Sequence, residues 1–337
     1  MMATHKQSLN KKEADVFSVD QNPFKGSTVA VLGDFMLDEF VFGAAERISP
    51  EAPVPVVTVK DRQQTLGGAG NVVFNLKSLG VNPLPVGILG MDSAAETVKT
   101  MCGKNEISLD SMLYTNRPTT YKMRVVAAGQ HVVRVDDEVK EGLSPQERDA
   151  LKEKLGEIRT QADVIIVSDY GKGVIDQDML EFVKELWADG HILADPKPRP
   201  GISYEGLSLI TPNLKESSEL TGEKAPETDA EAEVMAGKLL DQCNLPSVLL
   251  TRAGDGMTLF DGVTVKHLKS FVREVRDVSG AGDTVIATMS AGVAAGLPLV
   301  EAAELANAAG GVVVSKIGTA QTTWSEIVEE LERSSSL

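Results

Sequence analysis

The chain has 337 residues, with 33 Lys+Arg against 49 Asp+Glu and a formal net charge of −16. A surface that negative repels phosphate backbones and anionic lipid, which excludes binding of an extended nucleic acid or a membrane through bulk charge. Two cysteines, Cys102 and Cys243, cannot make a disulfide framework, and 42% hydrophobic with 4% aromatic residues is an ordinary soluble α/β composition, for which the cytoplasm is the expected compartment.

Residues 1–25 are polar, without an apolar run of signal-peptide type, and read as a flexible tail. One large domain is expected over 26–330, with a frayed, Ser-rich end at 331–337. Within the domain, the strand-like runs STVAVLGD, NPLPVGIL, ADVIIVSD, HILAD, LSLIT and PSVLLT each precede a Gly, Pro or Asp break and a helical stretch. That alternation is the signature of βαβ units in a parallel sheet. Ser144-Pro145-Gln146-Glu147 is a capping box with Pro at the first helical position, and Thr228 with Glu231 repeats the spacing.

Two segments, 53–60 and 119–136, alternate in the β manner without a crossover helix of their own. They are expected to form a small β-sheet lid at the edge of the main sheet; an antiparallel edge extension with no gating role is the alternative. The longest uncharged run, about 17 residues between Asp283 and Glu301, is short of the ~20 that a membrane helix needs. Rich in Gly, Ala, Ser and Thr, it reads as a helix buried in a large core, ended by Gly296 and Pro298.

Just before that helix stands Asp277-Val278-Ser279-Gly280-Ala281-Gly282-Asp283-Thr284. Glycines at a helix N-terminus let backbone N–H groups converge on an anion, and a carboxylate there opposes phosphate unless it has a task. Accepting the proton of a hydroxyl that attacks the phosphate is such a task. A Gly-rich turn whose Asp favours the first helical turn is the alternative. Asn213-Leu214-Lys215-Glu216 opens another helix, with Asn and Glu spaced to present oxygens to Mg²⁺-bound water or simply to cap it. Gly67-Gly68-Ala69-Gly70-Asn71 offers bare backbone beside a donor–acceptor amide. Asp34 and Asp38 follow the first strand and suit sugar hydroxyls at the carboxyl edge of a parallel sheet. No G-x-x-x-x-G-K-[ST], no G-x-G-x-x-G after the first strand and no His/Cys cluster at metal-ligand spacing is present.

Val278 to Thr284, Gly67 to Asn71 and Asn213 to Glu216 together resemble the ribokinase-like (PfkB) carbohydrate kinases, in the family's order and over about Thr28 to Thr319. Gly33 to Asp38, Arg47 to Val56, Asp169 to Gly173 and Ala306 to Gly310 are most similar to the D-glycero-β-D-manno-heptose 7-phosphate kinase group. The resemblance implies a three-layer α/β/α sandwich with a mainly parallel central sheet and a β lid. It also implies transfer of the γ-phosphoryl of ATP, with Mg²⁺, to the anomeric hydroxyl of heptose 7-phosphate, giving the 1,7-bisphosphate on the way to ADP-heptose for lipopolysaccharide core.

By the same resemblance Asp283 is the base and the amides of Gly280, Ala281 and Gly282 the anion hole. Asn213, Leu214, Lys215, Glu216, Thr251, Gly254, Gly256 and Asn307 face the nucleotide, with Glu216 toward the metal and a monovalent cation near Asp277. Asp34, Asp38, Gly67, Gly68 and Asn71 hold the sugar. Arg47 and Lys172 are expected on its distal phosphate; solvated surface charge is their alternative. A homodimer through the lid is implied. Because no H-x-G-H is present, the nucleotide-sugar step is expected from a separate adenylyltransferase. The rival readings are another sugar or sugar-phosphate kinase of the fold, of fructose-phosphate or ribose type, and a non-catalytic kinase-like binding protein.

Overall fold

A computed structural model describes residues 17–271, 275–316 and 318–335. In chain order the elements are β1 (Thr28–Gly33), β2 (Phe35–Ile48), β3 (Pro55–Gly68), α1 (Ala69–Ser78), β4 (Asn82–Gly90), α2 (Ser93–Lys104), β5 (Met112–Thr115), β6 (Thr120–Ala127), β7 (Gln130–Asp137), α3 (Pro145–Ile158), β8 (Val164–Ser168) and α4 (Gln177–Leu186). They continue with β9 (His191–Asp195), β10 (Leu209–Ile210), α5 (Leu214–Thr221), α6 (Asp229–Gln242), β11 (Val248–Thr251), β12 (Met257–Phe260), β13 (Val265–Leu268), α7 (Ala281–Ala294), α8 (Leu299–Val314) and α9 (Trp324–Ser335).

The main sheet runs β13-β12-β11-β10-β9-β8-β1-β4-β5. All neighbours from β11 to β5 are parallel, and β12 and β13 add an antiparallel edge that the sequence reading did not contain. Its strands read as continuous apolar runs because both faces are covered. On β1, Val29 and Val31 enter one core with α1, α2 and α7 to α9, while Ala30 and Leu32 enter the other with α3, α4 and α6. Alternation along a single strand therefore feeds two cores, which produces the three layers. Each such buried Val or Leu contributes about 1.5–3 kcal/mol.

Helix starts follow the local chemistry. The Ser144/Glu147 capping box is made in both directions, and Thr228 accepts from the Glu231 amide. The small-residue helix α7 is buried along most of its length against α8 and α1, where Gly and Ala permit close approach. Among the described residues, no helix is long and apolar enough to cross a membrane.

A second sheet, ordered β3-β2-β6-β7, projects from the first. It contains the two expected segments, 53–60 and 119–136, and in addition the 14-residue β2, which had not been assigned to it. The expected tail at 1–25 is corrected from residue 17 onward, residues 1–16 lying outside the described residues. Phe24 is fully buried, and Phe17 and Phe24 both meet the Trp324 ring edge-on. The end expected to fray at 331–337 is helical to Ser335, with Leu331 packed on the core.

Candidate active site

Because the strands are parallel, their carboxyl ends share one edge, and the site is assembled there. Asp34 follows β1, Asp169 and Tyr170 follow β8, Asp195 ends β9, Asn213 follows β10 and Thr251 ends β11. The N-terminus of α7 points into the same edge. Gly280 caps it with φ +80°, and a Cβ there would stand 2.6 Å from Asn71 Nδ2, so only glycine fits.

Asp283 sits three residues into α7 and is 3% exposed. Its Oδ2 accepts from Asn71 Nδ2 at 2.7 Å and its Oδ1 from the Tyr170 hydroxyl at 2.6 Å. Burial pushes its carboxyl up to about 6, against the lowering effect of those two donors, with Asp38 adding repulsion. A carboxylate poised there is a competent general base near neutral pH. Asn71 is itself fixed from α1: Asn75 Nδ2 donates to its carbonyl oxygens, and Thr284 Oγ1 donates to Asn75 Oδ1.

Of the expected anion-hole amides, Ala281 N–H closes a turn on the Val278 carbonyl at 3.3 Å, whereas Gly282 N–H makes no bond among the described residues. Gly282 stands where two cavities meet. The larger, about 610 Å³, is lined by Asn213, Leu214, Lys215, Thr251, Gly254, Gly256 and Asn307, the whole set expected around the nucleotide except Glu216. Met257, Val275, Val285 and Val314 add apolar wall. At Gly256, φ is +86° and a Cβ would fall 1.9 Å from the Leu268 carbonyl oxygen, so β12 can start there only with glycine. The smaller cavity, about 240 Å³, holds Asp195, Lys197, Asn213 and Glu216.

Asn213 and Glu216 form a reciprocal capping box on α5, Asn213 Oδ1 accepting from the Glu216 amide and Glu216 Oε2 from the Asn213 amide. That leaves Glu216 Oε1 toward Lys197 at 3.8 Å. Asp195 was not anticipated. Its carboxylate accepts no hydrogen bond among the described residues and faces Gly282; burial, with Glu216, Asp283 and Asp169 around it, holds its carboxyl well above the usual range.

On the sugar side, a Cβ on Gly67 would lie 2.2 Å from Asp38 Oδ2, and one on Gly68, at φ +58°, 2.4 Å from the Asp34 carbonyl and 3.5 Å from the Tyr170 ring. Gly67, Gly68, Asn71, Tyr170 and Asp38 thus surround the approach to Asp283. Asp38 is paired with Arg124 at 2.6 Å. Two expectations change. Asp34 gives both oxygens to the amides of Tyr170, Lys172 and Val174, so it shapes the loop that carries Tyr170 rather than presenting oxygens to a sugar. Arg47 lies near the far tip of β2, exposed and ~40 Å of strand from Phe35, so within one chain it does not reach the site. Lys172 lines a small cavity with Asp34 and Val174 and is paired with Glu138 at 2.5 Å.

Residues 27–326 match the model of the pfkB family carbohydrate kinases. The chain belongs to that family. It is therefore a carbohydrate kinase, a phosphotransferase acting on sugars, with the ribokinase-like fold. It is 42% identical over 314 residues to the bifunctional protein HldE of Paramagnetospirillum magneticum, covering 92% of this chain and 64% of that protein. It is likewise 42% identical over 301 residues to the bifunctional protein HldE of Rhodospirillum rubrum, covering 87% and 60%. The chain thus spans less than two thirds of the curated relatives it matches. Among solved structures, Arabidopsis thaliana ribokinase complexed with ribose and ATP superposes with a TM-score of 0.71 at 20% identity, over 91% of this chain and 99% of that one. Phosphofructokinase-2 from Escherichia coli in complex with substrates and products gives 0.75 at 16% identity, over 91% and 99%. At these identities the likeness is one of fold.

Tyr170 and Asp195, which the structure brings to this edge, were not anticipated as site residues. Asp195 had a readable signal, a carboxylate closing a strand of a parallel sheet. Tyr170 lay inside the Asp169 to Gly173 run with no role assigned to it, because its contact with Asp283 is made across the fold.

Proposed function

We propose that this kinase transfers the γ-phosphoryl group of ATP to the anomeric hydroxyl of D-glycero-β-D-manno-heptose 7-phosphate, yielding ADP and the 1,7-bisphosphate. The observation that carries the reading is Asp283, buried with two hydrogen-bond donors at a helix N-terminus, between a nucleotide-sized cavity and a polar pocket. The sugar itself rests on the heptose-kinase motifs and on the 42% identity to HldE proteins.

In this reading Asp283 Oδ2 takes the proton of the attacking hydroxyl as the hydroxyl oxygen bonds to the γ-phosphorus and the bond to the ADP oxygen breaks. The free Gly282 amide and the α7 dipole meet the charge that develops on the transferring phosphoryl oxygens. Asp195 and Glu216 Oε1, two under-satisfied carboxylates at the cavity junction, suit Mg²⁺, which is bound through one or two carboxylates and the substrate's phosphates. When bound, Mg²⁺ supplies charge neutralisation on the phosphates. Asp277, which accepts from the Ser279 and Gly318 amides, lies where a monovalent cation would brace the same loop.

The second sheet is the proposed lid. Both long strands leave the main body at the site, β2 right after Asp34 and β3 right before Ala69, so motion of the sheet is coupled to the sugar pocket. Its outer apolar residues, Ile48, Val54, Val59, Val133 and Val135, are exposed and offer a homodimer surface. In such a dimer Arg47 would serve the partner's site. An adenylyltransferase would act on the product, and a cytoplasmic setting fits substrates that are free metabolites.

ADP release from Mg-ATP across a panel of sugars and sugar phosphates tests the reading. Turnover is expected with heptose 7-phosphate alone. Preference for a fructose phosphate or ribose would overturn the sugar and leave the mechanism; turnover with none would favour a binding protein.

A further inference from the structure

The loop that carries Tyr170 is held from two sides. From inside, the buried Asp34 carboxylate accepts from the amides of Tyr170, Lys172 and Val174. From outside, two arginines take its carbonyls. Arg199 donates to the Ile175 carbonyl at 2.6 Å and pairs with Asp169 at 2.7 Å, while Arg117 Nη2 donates to the Lys172 carbonyl at 2.6 Å. The grip of Arg117 has a second end.

Arg117 stands in the connection by which the chain enters β6, and the same Nη2 donates to the Glu141 carbonyl at 2.6 Å and to that of Val139 at 3.0 Å. Val139 and Glu141 lie where the chain leaves β7 for α3. One guanidinium therefore joins both ends of the β6–β7 hairpin to the loop carrying Tyr170. The Glu141 and Lys172 carbonyl oxygens, each 2.6 Å from one nitrogen, would face each other without a donor if the cation were removed. The two segments also touch directly. Gly173 has φ +95°, and a Cβ there would fall 2.2 Å from the Glu141 carbonyl oxygen and 2.8 Å from Arg117 Nη2. A planar fork that donates in several directions suits such a junction.

We propose that Arg117 is a positioning residue: it fixes the foot of the β6–β7 hairpin to the Tyr170 loop and so keeps the Tyr170 hydroxyl on Asp283. This rests on the kinase reading above and adds to it a physical link between the second sheet and the proposed general base. The chain of contacts is short. Lys172, whose carbonyl Arg117 holds, is two residues from Tyr170, and the Tyr170 hydroxyl donates to Asp283 Oδ1 at 2.6 Å. Asp34 fixes where the amides of the loop point, and Arg117 fixes where the loop sits against the hairpin.

The test is a double-mutant cycle on kcat, measured with Mg-ATP and heptose 7-phosphate. Arg117→Gln in the wild type should lower kcat about 5- to 10-fold and leave the KM for ATP unchanged. In a Tyr170→Phe background the same substitution should lower kcat by less than about twofold, because the contact that it positions is already gone. Equal losses in the two backgrounds overturn the proposal, since a merely structural role costs the same in both. Gly173→Ala, which pushes the loop off the Glu141 carbonyl without changing charge, should repeat this pattern and decides the matter if Arg117→Gln fails to fold. Hydrogen exchange needs no substrate. In Arg117→Gln the amides of 138–142 and of 170–174 should exchange about tenfold faster together, with those of β8 unchanged. Faster exchange in 138–142 alone overturns the link. Absence of turnover in the wild type would instead overturn the kinase reading, and joint loss of protection in the two segments would leave the link between hairpin and loop standing.

Discussion

The two sides of Asp283 are built on different principles. The side proposed for the nucleotide is apolar and glycine-lined, made by loops of the main sheet and by α7 and α8, with both faces of its strands buried. The side proposed for the sugar is charged, made by a sheet whose outer strands are largely exposed and whose cations pair with carboxylates. The contrast teaches that the two sides of one buried carboxylate can differ in kind, an apolar, glycine-lined cavity on one and a sheet of paired charges on the other, and under the proposed function each would meet an anionic substrate in its own way.

Removing the group that the two sides share gives the largest expected effect. Asp283→Asn should lower kcat by ~10² to 10⁴ with both KM values little changed, as for loss of a general base; stopped-time ADP assays measure it. If the loss is smaller than tenfold, Asp283 is not the base. In the wild type, kcat should fall as pH drops through the Asp283 value of about 6, because only the ionised carboxylate accepts a proton.

Tyr170→Phe sharpens the sugar side. Loss of the hydroxyl removes a donor that favours the ionised form of Asp283, so the acid limb of the pH–kcat profile should move to higher pH, with kcat at its plateau down about tenfold. The loop should persist, since Asp34 holds it through backbone amides. An unmoved limb would make the contact merely structural. Gly254→Val is the matching change on the nucleotide side. Nothing lies within 4 Å of a Cβ there, so the fold should tolerate it while the added methyls enter the cavity. KM for ATP should rise ~10-fold and that for the sugar should not, provided the two sides are independent.

The core of the fold was legible in the sequence because parallel strands buried on both faces must be apolar runs, and the runs ending at Asp34, Leu89, Asp169, Asp195, Thr211 and Thr251 all lie in the main sheet. Capping chemistry at Ser144, Thr228 and Asn213 was legible for the same reason: it is local. The antiparallel β12 and β13 were not, being short and fixed by pairing with β11 rather than by their own pattern. Within the site, the glycine positions and Asp283 were readable from spacing, whereas Tyr170 was not, since its contact with Asp283 joins residues 113 apart in the chain.

The sequence by itself therefore determined the sheet, the helix caps, the glycine cradle and the family, all of which depend on neighbours within a few residues. Tertiary structure alone decided that Asp34 would hold a loop, that Arg47 would stand at the tip of a long strand, and that Lys122 would be buried beside the Met36 sulfur. Those outcomes depend on which distant groups share a low-dielectric space, and charge in such a space is settled by its partners rather than by its place in the chain.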